Sequence, residues 1–66
     1  MNVWAQAPSW ANYMTVNPDG SVHWFEVEPE VCCGRWTTKH RFELWQKGPR
    51  LVNWTGDWTA SLTQRQ

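Results

Sequence analysis

The side chains able to do chemistry are few in this chain of 66 residues. They are two histidines, His23 and His40, the adjacent thiols Cys32 and Cys33, and six carboxylates. Cys33 and His40 could form a nucleophilic pair, but no third group stands where it would orient the histidine. A structural zinc site needs a full tetrahedral ligand set with cysteines at C-x₂₋₄-C spacing, which adjacent cysteines do not supply. We therefore expect no catalytic residue, no metal and no cofactor, in a protein that is not an enzyme.

Each of these groups also has a purely structural interpretation. His23 lies near a predicted hairpin tip, where solvent exposure is expected, and His40 falls on a predicted core face, which favours a hydrogen-bonded structural histidine. A disulfide between neighbouring cysteines would close a strained ring, because bridged Cα atoms normally lie about 5.5 Å apart. With no signal peptide ahead of them, the pattern predicts reduced thiols in a cytosolic protein. No apolar run approaches the ~20 residues of a membrane span, so no membrane partner is expected.

A binding function has more support, because bases and aromatics interleave between residues 35 and 50. Trp45 flanked by Arg41 and Glu43 is typical of a protein-binding hot spot, where Trp, Tyr and Arg are enriched. The same interleaving also fits single-stranded nucleic acid, where each stacked base contributes roughly 1–3 kcal/mol. A net charge of zero argues against polyanion binding through bulk charge. The candidate partner-binding residues are Trp45, Arg41, Lys39, Tyr13, Phe25 and Trp36.

The secondary structure that positions these residues is indicated most strongly by one turn, at residues 17–20. Asn17-Pro18-Asp19-Gly20 places Pro and then Gly where a type I turn closed by a bulge needs them. Strands are predicted at 10–16 and 21–28, with Pro29 ending the second. The turn also sets the register, in which the facing pairs are Asn17–Ser21, Val16–Val22, Thr15–His23, Met14–Trp24, Tyr13–Phe25, Asn12–Glu26 and Ala11–Val27.

Alternation along this hairpin sorts its side chains into two faces. Trp24 is expected to pack with Met14, Val16 and Val22 in the core. The second face then holds Tyr13, Phe25, Ala11 and Val27, covered by a chain terminus or by a second subunit in a homodimer. With seven tryptophans in so short a chain, aromatic packing replaces much of the aliphatic core, and one or two are expected to be exposed.

The remaining segments give weaker signals. Residues 30–35 are predicted as a connection, 36–46 as a strand, 47–50 as a turn and 51–55 as a short last strand. In the 36–46 strand, alternation predicts a core face of Thr38, His40, Phe42 and Leu44. Asp57 is the predicted N-cap of a short helix with Trp58 and Leu62 on one side, before a polar, fraying end. Residues 1–9 are predicted as an arm pinned by Trp4, ahead of a single domain at 10–66.

The predicted fold class is mainly β, a small antiparallel meander of three to four strands with a short C-terminal helical turn. The order of its motifs resembles a family of very small Trp-rich proteins of tailed bacteriophages and prophages, over roughly residues 9–63. The matching residues are Trp10, Tyr13, Asp19, Gly20, Trp24, Pro29, Trp36, Asp57, Trp58, Ser61 and Leu62. The Cys32–Cys33 pair and the longer basic segment before Trp45 depart from that pattern.

The resemblance implies a phage-encoded accessory protein in the bacterial host cytoplasm, in a family with no established activity. We expect it to bind and modulate a host or defence protein, for example as an inhibitor, without catalysis. Two alternatives stay open. One is a single-stranded nucleic-acid-binding module using residues 35–50, and the other is a structural or self-assembling phage component.

Overall fold

The computed structural model describes residues 3–66 as two antiparallel sheets joined by turns and loops. The strands are β1 (Tyr13–Val16), β2 (Ser21–Phe25), β3 (Glu30–Cys32), β4 (Arg35–Thr37), β5 (Trp45–Arg50) and β6 (Thr63–Gln64). Single 3₁₀ turns span Val3–Gln6 and Trp58–Ala60. The mainly β fold class is confirmed. No helix in this part of the chain is long and apolar enough to cross a membrane.

The β1–β2 hairpin forms in the predicted register, with Val16 facing Val22 and Tyr13 facing Phe25. Both strands are shorter than predicted, because β1 begins only at Tyr13 and β2 ends at Phe25, ahead of Pro29. Gly20 has φ 86° and donates its N–H to the Asn17 carbonyl at 2.8 Å, as the type I turn with a bulge requires. The Asp19 carboxylate accepts from the backbone N–H and the hydroxyl of Ser21. These two bonds hold the pKa of Asp19 below its ordinary value.

The predicted core face is confirmed. Val16, Val22 and Trp24 are buried in one cluster, and Met14 packs against it. Ala11 was expected on the opposite face but belongs to this same cluster, because β1 begins at Tyr13 and strand alternation does not extend back to residue 11. Val3 also joins the cluster and Trp4 packs on it. Met1 and Asn2 of the predicted arm lie outside the described residues, and the division into arm and domain stays a prediction.

The predicted 30–35 connection is wrong, since this segment folds as the β3–β4 hairpin. Cys33 and Gly34 have φ values of 58° and 80°, the left-handed pair that a tight two-residue hairpin turn needs. The hairpin brings Trp36 toward the second face, where its backbone N–H donates to Asn17 Oδ1 and its indole to the Trp58 carbonyl. Phe25 on that face is 1% exposed within the single chain, so its burial needs no second subunit.

The predicted 36–46 strand is also wrong, because β4 ends at Thr37 and β5 begins only at Trp45. The side chains expected on its core face do not form one. Phe42 is 92% and Leu44 48% exposed, and His40 lies in an exposed bend. The strand that does form supplies the backbone partners for the open edge of β2, giving the order β5-β2-β1-β6.

The turn expected at 47–50 lies inside β5 instead. Ser21 pairs with Arg50 and His23 with Lys47, so Gly48 and Pro49 together oppose Val22 in a bulge. A bulge on an edge strand is where a sheet accepts proline. Gly48 is required by packing, because a Cβ there would lie 2.7 Å from the Trp24 ring.

The C-terminal segment has the predicted short helical turn and its predicted cap, and it differs from the prediction elsewhere. Residues 51–55 form a turn with Asn53 at φ 61°, and they contain no strand. Asp57 caps the 3₁₀ turn by accepting from the Thr59 N–H at 3.0 Å, as predicted. The turn ends at Ala60, too early to place Trp58 and Leu62 on one helical face. The C-terminal end was predicted to fray, but its residues Thr63 and Gln64 form β6 and pair with β1.

Candidate binding surface

Three of the six exposed large apolar side chains in residues 3–66 lie within one stretch of four residues, and the other three are Val27, Val31 and Val52. Phe42 and Leu44 are 92% and 48% exposed in the loop that leads into β5, and Trp45, the first residue of that strand, is 56% exposed. We refer to residues 42–45 as the aromatic loop. Large exposed apolar groups concentrated in one place mark an interaction site on a small domain.

Backbone and side-chain bonds hold the aromatic loop in a defined shape. The Leu44 carbonyl accepts from the Glu26 N–H at 3.2 Å, and Trp45 pairs with Phe25 across the sheet. Glu43 folds back so that its carboxylate accepts from the His40 N–H at 2.7 Å. Arg41 lies 6.0 Å from the centroid of the Phe42 ring, at the outer limit of a cation–π contact. The loop therefore presents apolar groups beside a cation.

A cleft of about 280 Å³ opens behind Trp45, between the larger sheet and the β3–β4 hairpin. Its lining consists of Asn17, His23, Phe25, Arg35, Trp36, Thr37, Thr38 and Trp45. The rings of His23 and Trp45 meet at a centroid distance of 5.8 Å and a tilt of 34°. Trp45 thus forms part of the cleft wall while more than half of its surface remains open to a partner.

Hydrogen bonds favour one tautomer of the neutral His23 ring in this cleft. The backbone N–H of Trp36 can only donate, so the atom of Asn17 that faces it at 2.9 Å is the acceptor Oδ1. The other amide atom of Asn17 is then Nδ2, a donor, and it lies 3.1 Å from His23 Nδ1. Nδ1 must accept this bond, which leaves the ring proton on Nε2. The neutral ring with its proton on Nε2 is therefore the form that these two hydrogen bonds accommodate.

Burial lowers the pKa of His23 below its ordinary value, and the nearby positive charges of Lys47 and Arg35 act in the same direction. A backbone contact with Ser21 and the charge of Asp19 oppose the change without reversing it. His23 is half-buried, so the expected exposure at the hairpin tip is wrong. The reason is that β5 lies along β2 and brings Trp45 over the ring.

The basic side chains between residues 35 and 50 do not form one patch. Lys39 pairs with Glu28 at 3.5 Å, and Arg50 donates to the Asp19 carbonyl at the tip of the first hairpin. Arg35 lines the cleft, and Lys47 pairs with His23 in the sheet. The positive charge near the cleft therefore comes from Arg35 and Lys47.

The structure places the six predicted partner-binding residues in three different environments. Trp45, Arg41 and Lys39 are exposed, in or just before the aromatic loop. Phe25 and Trp36 are buried, and they line the cleft. Tyr13 is half-buried on β1.

Sequence reasoning missed Phe42 and Leu44 as surface residues. The signal that could have found them is the run of four polar residues at 38–41, which is more typical of a loop than of a strand. Alternation favoured the strand because the same residues also fit a period of two.

The chain was also compared with known proteins. No protein-family model, curated protein or solved structure matches it. Within residues 3–66, no three His, Cys, Asp or Glu side chains group together as metal ligands. Cys32 and Cys33 are free and exposed.

Proposed function

We propose that this chain is a phage- or prophage-encoded, non-catalytic binding module whose aromatic loop docks on a host or defence protein in the bacterial cytoplasm. The observation that carries the proposal is the exposure of Phe42, Leu44 and Trp45 within four residues of chain, with the cation of Arg41 near the Phe42 ring. A cluster of this kind supplies the apolar anchors and the arginine on which protein interfaces depend.

The aromatic loop is also prepared for binding. Trp45 already rests against His23, and the backbone bonds at Leu44 and His40 restrict the loop. Ordering a free side chain at an interface costs roughly 0.5–1.5 kcal/mol. Because much of this ordering is present before binding, more of the gain from burying Phe42 and Trp45 is retained as affinity.

The biological setting in the proposal is supported by the resemblance to small phage proteins, carried by Trp10, the Asp19-Gly20 turn and the Asp57-Trp58 ending. Small phage-encoded domains without catalytic groups act mainly by binding host proteins. A host protein, possessing the apolar surface that Phe42 and Leu44 require, fits this setting better than a polyanion.

A second candidate function, binding of single-stranded nucleic acid, is favoured by the cleft. Trp45 and His23 offer ring faces for stacking, and Lys47 and Arg35 supply charge beside them. Stacking beside cations is the usual means of holding single strands. This function predicts affinity that falls as salt rises, because phosphate contacts release counterions.

The two functions are separated by capture of partners from bacterial lysate on the tagged protein, with and without nuclease, at low and high salt. We expect a stoichiometric protein partner that survives both treatments. Trp45→Ala is expected to weaken its retention by about 30-fold, corresponding to the ~2 kcal/mol of an interface hot spot. The matched control is Val52→Ala, an 83% exposed residue outside the aromatic loop, which should leave retention unchanged.

Folding of each variant is checked by circular dichroism before capture. Equal loss from Trp45→Ala and Val52→Ala would contradict the proposal. Recovery of nucleic acid alone, lost at high salt and on Lys47→Ala, would support the second candidate. A concentration-dependent mass with no partner would support self-assembly, the third alternative.

A further inference from the structure

The turn of the β3–β4 hairpin holds two thiols side by side on the surface. In an extended strand, neighbouring side chains point to opposite faces, which would separate Cys32 from Cys33. Here Cys33 has a left-handed φ of 58°, and this turns its side chain back toward Cys32. The two Sγ atoms lie 3.2 Å apart, both exposed and unbridged. The left-handed backbone at Cys33 thus brings together two sulfur atoms that an extended strand would hold apart.

We propose that Cys32 and Cys33 form a chelating site for a thiophilic trivalent metalloid, of which a monosubstituted arsenic(III) oxide is the representative. In the reaction R–As=O with two thiols, two As–S bonds form and the bonds from arsenic to oxygen break. The two S–H protons leave on that oxygen as one water. No oxidant or reductant takes part, and arsenic stays trivalent.

The separation of the sulfurs selects this class of ligand over the common structural metals. Two bonds of about 2.3 Å, the usual metal–thiolate length, span 3.2 Å when the angle between them is about 90°. Trivalent arsenic, with a lone pair, forms pyramidal bonds near this angle, whereas zinc prefers the wider tetrahedral angle. A disulfide would instead require the sulfurs to approach to about 2.05 Å in a smaller ring.

The test uses the full chain, reduced and kept free of oxygen, with phenylarsine oxide as the probe. Intact-mass spectrometry is expected to show one adduct, equal to one probe molecule less one water. It should persist in excess glutathione, a monothiol, and be removed by ethanedithiol. Cys32→Ser and Cys33→Ser, each lacking one sulfur on an exposed turn, should lose the glutathione-resistant adduct.

A second measurement tests the contribution of the fold. If the left-handed turn preorganises the sulfurs, the folded chain should bind the probe about tenfold more tightly than the same chain in urea. Equal affinity in the two states would overturn the claim of a built site. Absence of a wild-type adduct, or a glutathione-resistant adduct on either single variant, would overturn the proposal itself.

Discussion

Replacing Gly20 by alanine is expected to lower the free energy of unfolding by about 3–5 kcal/mol, from backbone strain and steric overlap together. Gly20 has φ 86°, and a Cβ there would lie 2.8 Å from the Leu51 carbonyl oxygen. That oxygen cannot easily move, because the Leu51 N–H donates to the Gly20 carbonyl at 2.8 Å. A domain of 66 residues is stabilised by only about 3–10 kcal/mol in total, so the variant should be largely unfolded or close to it.

Gly34→Ala is the matched control for this prediction. Gly34 has a nearly equal φ of 80°, yet no atom lies within 4 Å of the position its Cβ would take. The left-handed backbone alone should cost about 1–2 kcal/mol. Urea unfolding followed by tryptophan fluorescence measures both variants against the wild type. Equal destabilisation would show that the contact with Leu51 contributes nothing and that strain alone matters.

The second large effect concerns Asn17, whose side chain links Trp36 and His23. Asn17→Ala is expected to lower the free energy of unfolding by about 1–3 kcal/mol, because the buried Trp36 N–H loses its acceptor. Asn12→Ala is the matched control, since the Asn12 amide donates to the Glu26 carbonyl at an exposed site. A loss from Asn17→Ala no larger than that from Asn12→Ala would contradict the assigned role.

The same link makes the stability of the wild type depend on pH. The pKa of His23 is lowered in the folded state from 6.5, so folding favours the neutral ring. This contribution is fully present above pH 6.5 and is lost as pH falls through the folded pKa. A protonated Nδ1–H would face the Asn17 amide hydrogens. The charges of Lys47 and Arg35 also disfavour the protonated ring, whereas the charge of Asp19 favours it.

The carboxylates Asp19 and Asp57 have pKa values lowered from 3.8 in the folded state. Their contribution to stability is therefore lost in a separate, more acidic pH range.

Asn17→Asp should reverse the effect on His23. A carboxylate oxygen would accept from protonated Nδ1, so the pKa of His23 should rise and the loss of stability below pH 6.5 should shrink. Asn12→Asp adds the same charge at the exposed site and serves as the control. NMR titration of the His23 ring protons measures the change directly. A pKa rise no greater than in Asn12→Asp would contradict the assigned tautomer.

The sequence alone determined the first hairpin and the face of it that packs in the Trp24 cluster. The residues from Asn17 to Gly20 specify their turn locally, because proline restricts φ and glycine accepts a positive φ. Once that turn is set, period-two alternation places Val16, Val22 and Trp24 on one face. Asp57 is equally local, because its carboxylate reaches an N–H only two residues away. Such signals act within a few residues and need no knowledge of the rest of the chain.

Only the tertiary structure decided the course of residues 38–55 and 63–64. Gly48 and Pro49 form a turn signal, yet they lie in β5 because the edge of β2 needs backbone partners and the Trp24 ring leaves room there only for glycine. Phe42 and Leu44 alternate as a strand would, yet β4 has already ended at Thr37. Thr63 and Gln64 are polar, yet they form β6 because the free edge of β1 also needs a partner. In each case pairing between residues distant in the chain outweighs local preference, and it is this pairing that places Trp45 beside His23 and leaves the aromatic loop exposed.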